Sequence, residues 1–244
     1  MIIIPDIHGR AFWKEAVKGR KPREEVVFLG DYMDPYEYEG ISYTDASKNF
    51  DEIIKYKKKS PKLVTLLLGN HDVHYLNGYA SGSRYDSFHA REIREKFEKN
   101  RELFQLAYEK KIGGKRFIFS HAGIHKLWID DWFGKVVTNR NVVDYLNNLY
   151  LIDSPDLPRA LDQYSAYRGG WESYGSIVWA DIREWRGAKD SSYGDVQIFG
   201  HTQLKDFPVN LNNAVYDLDV RRGFRINEGG EVCEMDGKVI PISK

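Results

Sequence analysis

The sequence has 244 residues, enough to bury a sizeable core within one α/β domain, which we expect to span 1–244. Its 36 Lys and Arg residues balance 36 Asp and Glu residues, so net charge gives no support to nucleic-acid or membrane-surface binding. A single cysteine, Cys233, excludes an intramolecular disulfide and a thiolate-clustered metal site, and the short apolar run at 1–4 is no signal peptide or membrane span. We therefore expect a cytoplasmic protein without a membrane partner.

Five short apolar runs predict buried strands, because uninterrupted runs that end at a polar or glycine-containing motif are typical of strands covered on both faces. In chain order these runs lie at 2–4, 26–29, 63–68, 116–119 and 196–199. Between them, apolar residues at helical spacing predict helices over 12–19, from a cap near Ser42 or Thr44 to 59, and over 87–109, the last with a possible division at Asn100. This alternation predicts an α/β fold.

Two regions depart from that alternation. Residues 127–195 carry a helical pattern followed by many aromatic residues, which predicts an insertion over the edge of the sheet. Within it, residues 176–179 are predicted as a strand. The alternating pattern over 214–242 predicts antiparallel hairpin strands.

Each of the five strands is followed at once by residues that can bind metal ions. In chain order these residues are Asp6 and His8, Asp31 and Asp34, Asn70 and His71, His121, and His201. Because ligands bind at the carboxyl ends of strands in α/β sheets, we expect these side chains to meet at one edge. Carboxylate, imidazole and amide ligands suit Mn, Fe or Zn, and their number indicates two ions that share a bridging carboxylate.

Taken singly, each motif also has a plain structural interpretation, since Asn, Asp and Gly favour turns for backbone reasons. However, four of the seven histidines fall just past buried strands, and turns alone do not account for that order. His74, His89 and His125 are expected to lie at the surface or behind the ligands.

The motifs Asp-x-His-Gly, Gly-Asp-x-x-Asp, Gly-Asn-His-Asp, His-Ala-Gly and Gly-His-Thr, in this order, resemble the calcineurin-like metallophosphoesterase superfamily. Within it, the chain is similar to the phosphoprotein phosphatase branch and its bacterial and phage relatives. The resemblance implies a two-sheet β-sandwich flanked by helices, with a dinuclear site at the strand carboxyl ends. The implied metal ligands are Asp6 and His8 for one ion, Asp31 as the bridge, and Asn70, His121 and His201 for the other ion. The implied general acid is His71, oriented by Asp34.

Two positions bear on substrate binding. The branch usually carries a phosphate-binding arginine where this chain has Pro35. The segment 177–183 is similar to the one that supplies a second arginine, so Arg183 is the first choice for a phosphate-binding residue, with Arg168 and Arg221 in reserve. Many phosphodiesterases of the superfamily have histidine where this chain has Gln203, which favours the phosphatase branch.

These features predict a phosphomonoesterase that uses two divalent ions, with Mn first and Fe or Zn as alternatives, to activate water while His71 protonates the leaving group. A phosphorylated protein or a small phosphomonoester is the expected substrate.

One alternative is a nucleotide hydrolase acting on dinucleoside polyphosphates or nucleic-acid ends, since the aromatic residues over 164–185 could stack on a base. Packing of an inserted lid is the favoured explanation for those aromatics. A non-catalytic binding protein is a third alternative, which the intact ligand set disfavours.

Overall fold

The computed structural model describes residues 1–76, 78–80, 82–186 and 193–243. Among them are eleven strands: β1 Ile2–Ile4, β2 Val26–Phe28, β3 Val64–Leu67, β4 Phe104–Gln105, β5 Ala107–Ile112, β6 Lys115–Ser120, β7 Val196–Phe199, β8 Val209–Leu211, β9 Val215–Asp217, β10 Phe224–Ile226 and β11 Val232–Glu234. The α-helices in the same part of the chain are α1 Phe12–Lys18, α2 Tyr43–Lys59, α3 Asn70–Val73, α4 Ala90–Lys99, α5 Lys126–Phe133, α6 Val142–Leu151 and α7 Leu157–Leu161.

The strands form two sheets. The first has the order β11-β10-β1-β2-β3-β4 and the second has the order β5-β6-β7-β9-β8. β1, β2 and β3 are parallel neighbours in the first sheet, and β6 and β7 are parallel neighbours in the second. The five strands predicted to end at the site are thus all present, and the prediction of two sheets flanked by helices is confirmed.

Each strand that leads to the site is covered on both faces. In β2, Val27 packs between the two sheets, whereas Val26 and Phe28 pack on the helix side of the first sheet. The same alternation separates Ile3 from its neighbours in β1. Burial on both faces explains why the sequence shows continuous apolar runs rather than an alternating pattern.

Two secondary-structure predictions were wrong. The helix predicted over 87–109 ends at Lys99 with Asn100 as its C-cap, the residue where a division was expected, but the helix does not resume over 104–109, and Phe104 pairs in parallel with Leu66 of β3. The residues that continued the helical spacing therefore belong to strands, because backbone pairing with a neighbouring strand overrides a short apolar pattern. Residues 176–179 form a turn that packs against the segment after β6, with the Ala122 amide donating to Ile177 at 2.8 Å.

In its described residues, the long connection from β6 to β7 contains α5, α6, α7 and three short 3₁₀ helices, Gly134–Val136, Ala166–Arg168 and Ile182–Trp185. Within 214–242, β10 and β11 form an antiparallel pair, and β9 runs antiparallel to β8 on one side and parallel to β7 on the other. In the described part of the chain, no helix combines the length and the apolar character needed to cross a membrane.

Candidate active site

The six residues predicted as metal ligands converge at the carboxyl ends of the parallel strands, and all six are buried. One group comprises Asp6, His8 and Asp31, whose ligand atoms lie within 4.8 Å of one another. A second group at the same spacing comprises Asp31, His121 and His201. Asn70 joins the second group through its Oδ1, 2.9 Å from Nε2 of His121. Asp31 is common to both groups.

The chemistry of the second group fits a cation. Nδ1 of His121 donates to the carbonyl oxygen of Leu29 at 2.9 Å, which leaves a lone pair on Nε2. That lone pair faces Oδ1 of Asn70 and Oδ2 of Asp31, the latter at 3.5 Å. These three atoms can only accept hydrogen bonds, so a shared cation would satisfy them together.

The first group has the same character. Nδ1 of His8 donates to the carbonyl oxygen of Met33 at 3.1 Å, and Nε2 then faces Oδ2 of Asp31 at 3.4 Å. Main-chain carbonyls that fix the tautomer and ring orientation are typical partners of metal-binding histidines. The residues present therefore fit two divalent ions with Asp31 between them.

Electrostatics support this interpretation. Burial, reinforced by the neighbouring charge of Asp31, raises the pKa of Asp6 to about 8. Burial also lowers the pKa of His8 to about 3 and holds the pKa of His201 well below its usual value. The neutral imidazoles are already in the state that binds a cation, and a cation would favour the ionised carboxylate of Asp6 that burial opposes.

Glycines that precede the ligands are required by close approach of the chain. A Cβ at Gly69 would lie 2.2 Å from Oδ1 of Asp31, and a Cβ at Gly200 would lie 2.1 Å from Oδ1 of Asp6. The carboxylates occupy the space that any larger side chain would need. The Gly-Asn-His and Gly-His motifs thus have a steric cause.

The backbone itself is unusual at this edge. Positive φ angles, which non-glycine residues seldom adopt, occur at four of the site residues: His8, Asp31, Asp34 and His201. Asp72 stabilises this region by accepting from the main-chain amides of Asp31, Tyr32 and Gly69 at 2.7, 2.9 and 2.7 Å. Backbone held in sparsely populated conformations by such contacts is typical of functional sites.

Beside the ligand groups, His71 and Asp34 are paired as predicted from the sequence resemblance. Nδ1 of His71 lies 2.8 Å from Oδ2 of Asp34. The same carboxylate oxygen lies 2.8 Å from Nε2 of His74, and Oδ1 accepts a hydrogen bond from the Tyr75 hydroxyl. Burial favours the neutral carboxyl, but hydrogen bonds from the two histidines outweigh it and hold the pKa of Asp34 below its usual value. Asp34 is therefore a fixed carboxylate behind His71.

His74 and Tyr75 were not singled out from the sequence as partners of Asp34. His74 was expected only at the surface or behind the ligands, and it is buried in contact with Asp34. The available signal for this placement was its spacing, since His74 follows His71 by three residues and Asn70 by four. Residues three and four apart on a helix share a face.

The three arginines considered from the sequence are all paired with carboxylates. The Arg183 guanidinium contacts both carboxylate oxygens of Asp181, at 2.7 and 3.0 Å, and donates to the carbonyl of Tyr167. Arg168 lies 3.0 Å from Asp181 and donates to Oγ1 of Thr202 beside His201. Arg221 lies 3.5 Å from Glu39. Phosphate binding by Arg183 stays a prediction.

Arg84 was not identified from the sequence, yet its guanidinium lies at the site. Nη2 of Arg84 lies 2.8 Å from Nε2 of His71 and 3.5 Å from Nε2 of His8, and the group stacks on the Tyr36 ring at 3.6 Å. It lies in a loop rich in Gly, Ser and Tyr, where no periodicity indicates which way a side chain points. Only its cationic side chain could have drawn attention to it.

A cavity of about 300 Å³ lies between Ala80, Gly82 and Ser83 on one side and the long connection on the other. Its lining includes Tyr164, Arg168 and Trp179. The Trp179 ring meets the His201 ring edge to face, with centroids 5.6 Å apart. The cavity therefore adjoins the ligand groups and offers an aromatic surface to a bound molecule.

Comparisons with known proteins identify the family and the fold. A family model described as calcineurin-like phosphoesterase matches residues 1–204. The serine/threonine-protein phosphatase 6 catalytic subunit of Drosophila melanogaster is 23% identical over 97% of this chain and 67% of that protein. The fold is similar to that of a cold-active protein-tyrosine phosphatase from a Shewanella species, with a TM-score of 0.59, 14% identity, and coverage of 98% of this chain and 80% of the other. A Saccharomyces cerevisiae protein serine/threonine phosphatase has a TM-score of 0.52 at 12% identity, with coverage of 89% and 65%.

Proposed function

The chain belongs to the calcineurin-like phosphoesterase family, and we propose that it is a metal-dependent phosphomonoesterase with two ions bridged by Asp31. The observation that carries this proposal is the position of Asp31. Its Oδ2 lies 3.4 Å from Nε2 of His8 and 3.5 Å from Nε2 of His121, so one carboxylate serves both ligand groups. Asp6 completes the first group, and Asn70 and His201 complete the second.

When bound, two divalent ions would supply a nucleophile from water and stabilise the oxygens of an in-line displacement at phosphorus. We propose Mn as the preferred ion, since carboxylate, imidazole and amide ligands suit it, with Fe or Zn as alternatives. The chain holds its ligands rigidly, because His8 and His121 are each fixed by a main-chain carbonyl. Such preorganisation avoids a cost of rearrangement during the reaction.

His71 is the proposed general acid. Its Nδ1 is bound to Asp34, which fixes the ring and stabilises the protonated imidazole. Its Nε2 accepts from Nη2 of Arg84 at 2.8 Å in this structure and, when protonated, would donate the proton that the departing oxygen requires. Asp34 in turn contacts His74 and Tyr75, which fix the position of the carboxylate that orients His71.

The proposed substrate is a phosphorylated protein or a small phosphomonoester. Relatives named as a serine/threonine phosphatase and a protein-tyrosine phosphatase support a phosphorylated substrate. Gln203, in place of a further histidine, supports a monoester rather than a diester. With one buried cysteine, the composition suits a reducing compartment, and the cytoplasm remains the proposed location.

Steady-state kinetics of Mn-loaded protein with p-nitrophenyl phosphate and bis(p-nitrophenyl) phosphate tests the proposal. We expect kcat/KM for the monoester to exceed that for the diester by at least tenfold. A His71→Asn variant should lose activity and keep its metal content. Hydrolysis of the diester at an equal or higher rate would contradict the assignment as a monoesterase.

A nucleotide hydrolase is the second candidate. The cavity lined by Tyr164 and Trp179 beside His201 favours it, because a base could stack there. Including a dinucleoside polyphosphate in the substrate panel decides between the two. A Trp179→Leu variant that loses activity only toward the dinucleotide would support the nucleotide hydrolase.

A further inference from the structure

We propose that Arg84 is the residue that binds the phosphoryl group of the substrate, an inference that rests on the proposed phosphomonoesterase function. Its Nη2 lies 2.8 Å from Nε2 of His71 and 3.5 Å from Nε2 of His8. The guanidinium therefore lies at the junction between the proposed general acid and the first ligand group. A phosphoryl group undergoing transfer has to occupy this junction.

Among the arginines near the site in the described part of the chain, Arg84 differs in its partners. Arg10, Arg168, Arg183 and Arg221 are each within 4.0 Å of a carboxylate. The hydrogen-bonding partners of Arg84 among the described residues are the imidazoles of His71 and His8 rather than a carboxylate, and its Nη1 is buried without a hydrogen-bond partner. A buried N–H that lacks an acceptor is costly, and an incoming phosphate oxygen would satisfy it.

The Arg84 side chain is also positioned in advance. Its guanidinium stacks on the Tyr36 ring at 3.6 Å, which fixes the plane of the group and leaves its edge to donate. A guanidinium edge presents two parallel N–H groups, the geometry that phosphate oxygens match. Less freedom is then lost when the anion binds.

The loop that carries Arg84 is attached to the residues that support the acid. The Gly82 amide donates to Nδ1 of His74 at 3.2 Å, and the Asp86 amide donates to the Tyr75 hydroxyl at 3.0 Å. His74 and Tyr75 are the residues that contact Asp34. The position of Arg84 is thus linked to the position of His71 through one set of contacts.

This placement has a consequence for substrate class. A monoester has three non-bridging oxygens and a diester has two. A monoester therefore has more oxygens with which to accept hydrogen bonds from a guanidinium while it also binds two ions. Removing Arg84 should therefore lower activity toward the monoester more than toward the diester. A residue with a purely structural role would lower both equally.

The test compares Arg84→Ala and Arg84→Lys with two other substitutions. Arg20→Ala is the matched control, because Arg20 also stacks on a tyrosine and has a buried unpartnered Nη1, but it lies before the amino end of β2, remote from the site. Arg183→Ala represents the competing arginine. Thermal unfolding and metal content of each variant identify any loss of folding or of ions.

Calorimetric titration of the Mn-loaded proteins with inorganic phosphate measures anion binding without turnover. We expect affinity to fall about tenfold or more in Arg84→Ala, and less in Arg84→Lys, which keeps the charge but not the paired donors. With p-nitrophenyl phosphate, kcat/KM should fall about 100-fold in Arg84→Ala, and the preference for monoester over diester should shrink. Arg20→Ala should match wild type in both measurements.

The possible outcomes separate the two proposals. If wild type hydrolyses the monoester and Arg84→Ala behaves like Arg20→Ala, Arg84 does not bind the phosphoryl group. If the loss occurs in Arg183→Ala instead, Arg183 has that role. If wild type hydrolyses neither ester, the proposed function fails, and phosphate titration alone decides whether Arg84 binds the anion. Should Arg84→Ala fail to fold, the Arg84→Lys comparison gives the decision.

Discussion

Asp31 has the central position among the residues of the site. Its Oδ2 serves both ligand groups, and its Oδ1 accepts from the His71 amide at 2.9 Å. Although burial favours the neutral form, the surrounding histidines hold the pKa of Asp31 well below its usual value. The carboxylate is therefore ionised, which is the state that the proposed bridge between two ions requires.

We predict that Asp31→Asn lowers the affinity for both ions, because an amide lacks the charge and the second anionic oxygen of the bridge. Asp6→Asn should weaken mainly one ion, since Asp6 belongs to only one group. Metal content after dialysis against limiting Mn, measured by mass spectrometry, tests this. Asp153→Asn is the control, because Asp153 is an exposed partner of Arg101. A single ion in fully loaded, active wild type would refute the dinuclear centre.

At the level of secondary structure elements, the strand ends bring together residues far apart in sequence. The His201 amide, after β7, donates to both oxygens of Asp6, after β1, at 3.1 Å each. This contact joins the two sheets at the site. It depends on Gly200, which leaves space for the carboxylate.

We predict that Gly200→Ala displaces Asp6, because the added Cβ would lie 2.1 Å from Oδ1. Metal content and kcat/KM should both fall, and the free energy of unfolding should drop by about 1–3 kcal/mol from overpacking. Urea denaturation and metal analysis measure these effects. Gly19→Ala provides the control, since a Cβ there meets nothing within 4 Å and φ is −94°. Equal behaviour of the two variants would contradict a steric role for Gly200.

At the scale of the whole molecule, the buried histidine His125, in the long connection between β6 and β7, affects the free energy of unfolding. His125 is fully buried before α5, stacked on Tyr174 with ring centroids 4.0 Å apart, and its Nδ1 accepts from the Leu127 amide. Burial lowers the pKa of His125 to about 4. The unfolded chain therefore binds a proton at a higher pH than the folded protein does.

We predict that this histidine makes the metal-free protein less stable as pH falls from about 6.5 to about 4. Since the unfolded state binds more protons in this window, the contribution is present above pH 6.5 and is lost below it, by up to about 3 kcal/mol. His125→Asn keeps a capping side chain without this titration. Urea denaturation of both proteins across the window should show a shallower pH dependence for the variant. Identical profiles would contradict the prediction.

The sequence alone predicted the sheet strands and the side chains that meet beyond their carboxyl ends. Uninterrupted apolar runs that stop at a polar or glycine-containing motif are typical of covered strands, and each run is followed directly by residues such as Asp6, Asp31 and Asn70. A pattern of neighbouring residues therefore predicted which distant residues come together. The family confirmed by the comparisons follows from the same motifs. These features are predictable because the strand and the residues after it are adjacent in the chain.

Only the tertiary structure decided the support of His71 and the direction of the arginines. Residues 104, 105 and 107–109 belong to the helical pattern predicted over 87–109 and nevertheless lie in strands, because β3 and β6 offer backbone partners. Arg183 lies in the segment 177–183, which is similar to the family segment that supplies a phosphate-binding arginine, but its guanidinium pairs with Asp181. Arg84 lies in a loop without periodicity, and its guanidinium contacts His71. The physical reason is that a long side chain in a loop is oriented by whichever partner folding brings near it, and that partner is not encoded in neighbouring residues.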